Sequence, residues 1–123
     1  MDKNNVSIVI CDDSILARKN LSSILNALGY SNIREVSNGQ AAVDVCKEIK
    51  PDLIFLDIIM PVKDGITATK EIKSFSKDTK VIICSSVGTQ THLREAIKAG
   101  AKDFIQKPIE SGMVKQVIDH IFN

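Results

Sequence analysis

Leu53-Ile54-Phe55-Leu56-Asp57-Ile58-Ile59-Met60-Pro61-Val62-Lys63-Asp64-Gly65 is the stretch whose reading decides the fold. Its first four residues are apolar and too few for a helix. A run so uniformly apolar suits a strand covered on both faces, as in the middle of a parallel sheet. The strand ends in one carboxylate, Asp57. Pro61 biases Met60 away from the helical region and Asp64-Gly65 is a turn signal, so the continuation reads as loop. Asp57 therefore stands at the carboxyl end of a buried strand, the edge at which open parallel α/β sheets bind ligands. An aspartate in that position can also do no more than accept bonds from nearby backbone N–H groups.

The same arrangement recurs on both sides of this stretch. Val6 to Cys11 is nearly all apolar and β-branched, a second buried strand, and it runs into Asp12-Asp13-Ser14. The spacing then turns helical, with Leu21, Ile24, Leu25 and Leu28 on one face and Gly29 as the stop. Ile33 to Ser37 alternates apolar and charged residues, the pattern of a half-exposed edge strand. After the Asn38-Gly39 turn, Ala42, Val45, Cys46 and Ile49 form a helical stripe that must end near Lys50, because Pro51 follows. Beyond Gly65, Ile66, Thr69 and Ile72 give a weaker helical pattern ending between Ser74 and Asp78. Val81 to Cys84 is a third central-type strand closed by Ser85-Ser86. A helix from about Gln90 turns Leu93, Ala96 and Ile97 inward and stops at Gly100. Asp103 to Gln106 is a short strand before Lys107-Pro108, and Val114, Val117, Ile118 and Ile121 mark the last helix.

Five strand-helix pairs without a repeat or a linker imply a flavodoxin-like (βα)5 α/β fold. It is a doubly wound, five-stranded parallel sheet with helices on both faces and strand order 2-1-3-4-5. At 123 residues the chain fits one domain, residues 1–123, with no room for a second module. Sixteen Lys and Arg against 15 Asp and Glu give a net charge of +1, which argues against a broad electrostatic grip on nucleic acid or membrane. The three cysteines, Cys11, Cys46 and Cys84, lie far apart in apolar runs and suit buried reduced thiols. The first residues lack the apolar core of a signal peptide, and no run reaches the roughly 18 residues of a membrane span. A cytoplasmic protein is expected.

In a parallel sheet with this order, the ends of the first, third, fourth and fifth strands converge. They bring Asp12, Asp13, Asp57, Ser85 and Lys107 to one crevice. Like charges 4 Å apart cost about 4 kcal/mol at an effective dielectric near 20, so three carboxylates need positive company. Lys107 supplies one charge, and an all-oxygen cluster open to water suits a hard divalent cation such as Mg2+, the usual companion of phosphate oxygens. An ammonium, a hydroxyl and a carboxylate nucleophile complete the chemistry of a phosphoryl site. Each residue also has a plainer role. Asp12-Asp13-Ser14 can cap the first helix, Ser85 can be a loop polar, and Lys107 can be a solvated lysine at a chain reversal. The functional reading draws its weight from complementary chemistry at four strand ends at once.

On these residues the chain resembles the receiver domain of two-component response regulators. The resemblance runs from Val6 to about Phe122 and rests on Asp12-Asp13, the segment around Asp57, Ser85 and Lys107-Pro108. Within the family it looks most like stand-alone chemotaxis regulators of the CheY type, through the segments Ile83 to Gly88 and Ala96 to Ile105. The resemblance implies that Asp57 accepts a phosphoryl group from a sensor histidine kinase. Asp13, Asp57 and the backbone carbonyl of Ile59 would hold Mg2+, or Mn2+ in its place, with Asp12 acting through water. Lys107 would pair with Asp57 and then with a phosphoryl oxygen, Ser85 would bond another, and the Lys107-Pro108 peptide would be cis. Phe104 takes the place of the switch aromatic, where a tyrosine is common in chemotaxis members, and plain core packing is its alternative role.

The apolar side chains of Ile59 and Val87 would flank the path of the hydrolytic water. They offer it no base, which implies slow to moderate self-dephosphorylation and a role for an auxiliary phosphatase. The expected partners are a sensor histidine kinase and a downstream protein target such as the flagellar motor switch, with the chain a monomer. The alternatives are a receiver of another phosphorelay or of a transcriptional regulator that has lost its DNA-binding domain. No basic helix is present, which disfavours the latter. An independent phosphohydrolase is disfavoured because Ile58-Ile59-Met60 supplies no second carboxylate after Asp57, and a docking module that is never phosphorylated is disfavoured by the intact set of polar strand ends.

Overall fold

The computed structural model describes residues 2–122, so the two end residues of the expected 1–123 domain lie outside the described residues. Five strands, β1 (Ile8–Cys11), β2 (Ile33–Val36), β3 (Leu53–Asp57), β4 (Lys80–Ser85) and β5 (Asp103–Gln106), form one parallel sheet in the order β2-β1-β3-β4-β5. Five helices connect and flank them: α1 (Ile15–Ala27), α2 (Gly39–Ile49), α3 (Gly65–Phe75), α4 (Leu93–Ala99) and α5 (Ser111–Phe122).

Alternation along the strands divides the core into two layers. Val9, Cys11, Ile54, Leu56, Val81 and Ile83 point to the side covered by α2, α3 and α4, where Val43, Cys46, Ala68, Ile72 and Ala96 meet them. Ile8, Ile10, Leu53, Phe55, Ile82 and Cys84 point to the other side, under Leu21 and Leu25 of α1 and Val114 and Ile118 of α5. β1 and β3 are buried throughout, whereas β2 is half-exposed, as its alternating sequence requires of an edge strand.

Side chains fix the starts of α1, α2 and α3 on the site side of the sheet. Ser14 accepts from the amide of Ala17, Asn38 from that of Ala41 and Asp64 from that of Thr67. Lys50 takes the left-handed conformation that closes α2 just before Pro51.

Two sequence expectations shift. The helix expected from about Gln90 begins at Leu93, because Val87–His92 winds as a 3-10 segment in which the Thr89 hydroxyl donates to the Ser86 carbonyl at 2.9 Å. Ile97, expected inward, is 48% exposed. α4 is seven residues long and packs along α3, so its buried stripe is narrow and holds Ala96, with Ile97 left at the border.

Candidate functional site

The carboxyl ends of β1, β3, β4 and β5 meet at one edge of the sheet. β1 hands over to Asp12 and Asp13, β3 ends at Asp57, β4 ends at Ser85, and β5 is followed by Lys107. Carboxylate oxygens of Asp12, Asp13 and Asp57 all lie within 4.8 Å of one another. Asp12 and Asp57 are buried and Asp13 is exposed, so the cluster has one open side.

Lys107 binds the cluster together. Its Nζ donates to Asp12 Oδ2 at 2.6 Å and to Asp57 Oδ2 at 2.8 Å. Its own amide donates to the Ser85 carbonyl at 2.7 Å, which anchors the lysine to the end of β4, and the Lys107-Pro108 peptide is cis, as the resemblance implied. Burial alone would lower the Lys107 pKa, but the hydrogen bonds that it donates to Asp12 and Asp57 outweigh it and hold the ammonium firmly protonated.

For Asp57 the balance falls the other way. Burial raises its pKa above the ordinary carboxylate value, and the Lys107 hydrogen bond and charge offset this only in part. The nearby Asp12 charge raises it further. Three carboxylates and one ammonium leave two negative charges without a local partner. The donor set is all oxygen, close-set and open on one side, which fits a hard divalent cation of the Mg2+ class.

Asp12 is placed by bonds that the sequence did not announce. Its Oδ1 accepts from the amide of Ser14 at 2.9 Å, and its carbonyl accepts from Arg18 Nη1 at 2.6 Å. Arg18 is in turn held by Glu35 at 3.3 Å. Its position four residues after the Ser14 cap, one turn into α1, is the signal that could have pointed to it. The bond from Lys107 to Asp12 goes beyond the pairing with Asp57 that the resemblance implies. The plainer capping role is real but falls mainly to Ser14 itself, leaving Asp13 free of it.

The hydroxyl of Ser85 is fully buried and has no hydrogen-bond partner among the described residues. A buried hydroxyl without a partner costs roughly 1–3 kcal/mol, so this one is poised to meet an acceptor that arrives. Ile59 and Val87, two residues beyond Asp57 and Ser85, are exposed, 65% and 72%. Phe104 is 44% exposed on β5, which rules out plain core packing in this state. No helix among the described residues is long and apolar enough to cross a membrane.

Comparison with known proteins agrees with this geometry. The chain is 42% identical over 114 residues to the chemotaxis protein CheY of Thermotoga maritima, covering 93% of this chain and 95% of that one. It is 43% identical over 116 residues to the chemotaxis protein CheY of Bacillus subtilis, covering 94% and 97%. Among solved structures, the CheX-CheY-BeF3-Mg2+ complex from Borrelia burgdorferi matches with a TM-score of 0.87 and 33% identity, over 95% of this chain and 89% of that one. The family model for the response regulator receiver domain matches residues 8–119, a span that holds every strand and every polar strand end described above. By that match and by its fold, the chain belongs to the response regulator receiver domain family.

Proposed function

We propose that the chain is a phosphorylation-activated receiver, a single domain over residues 1–123, in which Asp57 takes a phosphoryl group from a phosphohistidine of a sensor kinase. The observation that carries the reading is the Lys107 ammonium bonded to Asp57 and Asp12 in an acidic crevice beside the partnerless hydroxyl of Ser85. In the transfer, an Asp57 carboxylate oxygen forms a bond to phosphorus as the phosphorus–nitrogen bond to the imidazole breaks. Asp13, Asp57 and the Ile59 carbonyl would hold Mg2+, with Asp12 acting through water. The cation would neutralise charge on the transferring phosphoryl oxygens. Mn2+ would serve in the same place.

After transfer, Lys107 has a phosphoryl oxygen to pair with, and Ser85 gains the acceptor that it lacks. An aspartyl phosphate brings up to about two negative charges and three acceptors, enough to draw both groups toward it. Movement of Ser85 opens room for Phe104 to turn in from its exposed position, which changes the face formed by β5 and α5. That face carries a groove of about 420 Å3 lined in part by Phe104, Met113 and Val117, a suitable seat for a downstream protein. The likeness to CheY proteins favours chemotaxis and a target in the motility apparatus, in the cytoplasm. Ile59 and Val87 offer no base to a hydrolytic water, so phosphate loss is slow to moderate and a separate phosphatase speeds it. The chain modifies itself and is not a turnover enzyme.

Incubation with acetyl phosphate and Mg2+, read by intact mass, tests the reading. Wild type is expected to gain one phosphoryl group and Asp57→Asn none. No adduct on wild type, or an adduct kept by the variant, overturns it.

A further inference from the structure

We propose that Gly39, at the first turn of α2, is a positioning residue for the loop after Asp57. Through that loop it would set the metal affinity of the site. The inference rests on the receiver reading above, in which the Ile59 carbonyl is a ligand.

Gly39 is not in the left-handed region, so no backbone conformation demands glycine here. Alanine is the better helix former. The demand is for space. A Cβ on Gly39 would stand 1.9 Å from the carbonyl oxygen of Lys63 and 2.7 Å from its carbonyl carbon. The obstacle is backbone, which cannot swing aside as a side chain would, so the loop itself would have to move.

Neighbouring contacts make this junction a seat for the loop. The Sγ of Cys11, the residue before Asp12, lies 3.3 Å from the Asn38 carbonyl and 3.1 Å from Met60 Sδ. One thiol thus touches the start of α2 and the loop after Asp57 at the same time. Beyond the contact, Lys63 is tied to α3 by its ion pair with Glu71, and the Gly65 amide donates to the Ile58 carbonyl at 2.7 Å. Between them, the Lys63 amide bonds to the Pro61 carbonyl at 2.8 Å across Val62, whose φ is +70°. A loop pinned at both ends and already tightly turned has little slack. Pressure at Lys63 therefore passes back to Met60 and Ile59. Asp12 and Asp13 follow β1 and Asp57 belongs to β3, so the carboxylates stay in place while the carbonyl ligand shifts.

The test is calorimetric titration of Mg2+ into the unphosphorylated protein, paired with the Mg2+ dependence of phosphorylation by acetyl phosphate. Gly39→Ala is expected to weaken Mg2+ binding by roughly tenfold, the size seen when support for a metal ligand is lost. Its phosphorylation rate should move to higher Mg2+ by the same factor and recover toward wild type at saturation. Gly112→Ala, on an exposed part of α5 where a Cβ meets nothing within 4 Å, should match wild type in both. A folded Gly39→Ala protein with unchanged Mg2+ affinity overturns the proposal, whatever its melting temperature, because Gly39 is then only a packing residue. If Gly39→Ala does not fold, Cys11→Ala probes the same seat from the β1 side. It should weaken Mg2+ several-fold, and an unchanged affinity overturns the proposal equally. Wild type that fails to bind Mg2+ would sink the receiver reading itself.

Discussion

Asp57 is buried beside Asp12 and shares one lysine with it, so its charge is a burden on the metal-free fold. The burden predicts a crossover. In EDTA at pH 7, Asp57→Asn should melt at a higher temperature than wild type, because it removes one of three crowded carboxylates and keeps the shape. Mg2+ at about ten times its Kd stabilises a binding protein by roughly 1.4 kcal/mol, several degrees in Tm for a domain of this size. Wild type should show that gain and the variant little of it, as scanning calorimetry with and without Mg2+ would report. Equal Mg2+ stabilisation of both would remove Asp57 from the metal site. Val62 carries strain of a different kind. It is β-branched and 80% exposed, and it sits at a φ of +70°. The left-handed region costs an L side chain roughly 1–2 kcal/mol, while a glycine there gives back about 0.4–1 kcal/mol through its freer unfolded chain. Val62→Gly is therefore expected to stabilise the protein by up to about 1.6 kcal/mol in urea titrations. A destabilised variant would show that the exposed valine makes contacts of its own.

Strands β1 and β3 were legible because burial on both faces leaves an unmistakable apolar run, and β2 because its alternation marks an edge. The polar ends of four strands were legible once the strand order was fixed, since parallel strands place all their carboxyl ends on one side. What the sequence did not disclose was contact between elements: Arg18 on the Asp12 carbonyl, Lys107 bridging two acids, and Gly39 against the Lys63 carbonyl. These are consequences of packing, and no local pattern of residue types encodes them. The segment Val87–His92 escaped for a different reason. Its residues carry no helical stripe, and six residues of 3-10 helix is longer than that geometry usually sustains. Five of its six residues are exposed, and Gly88 has open space where a side chain would be. Backbone amides from 87 to 92 should therefore exchange with deuterium orders of magnitude faster than those of β4, which precedes them. Phosphorylation should slow them if Ser85 carries the switch. Exchange in the unmodified protein as slow as that of β4 would mean that the segment is held as firmly as the strand.

The sheet splits the molecule into two apolar layers, and a cysteine is built into each: Cys11 and Cys46 on the α2, α3 and α4 side, Cys84 on the α1 and α5 side. Burial pushes each thiol from its ordinary value near 9.0 up to about 12, and for Cys11 and Cys84 nearby carboxylates add to the rise. A thiol whose folded pKa is raised keeps its proton where the unfolded chain has lost it. The resulting stability is present in full below about pH 9 and drains away as pH climbs from 9 toward 12. The slope is at most about 1.4 kcal/mol per pH unit for each thiol. Because the layers share one sheet, no thiol should be reached without opening the whole structure. At pH 8 a maleimide should leave the native protein unlabelled over hours, and should add three groups in urea. Urea-measured stability should fall between pH 9 and 10, and should fall less steeply once Cys11→Ala, Cys46→Ala and Cys84→Ala are combined. One thiol labelled quickly in native buffer would show that its layer opens by itself. Identical alkaline slopes for wild type and the triple variant would show that the thiols' retained protons play no part in the fold's stability.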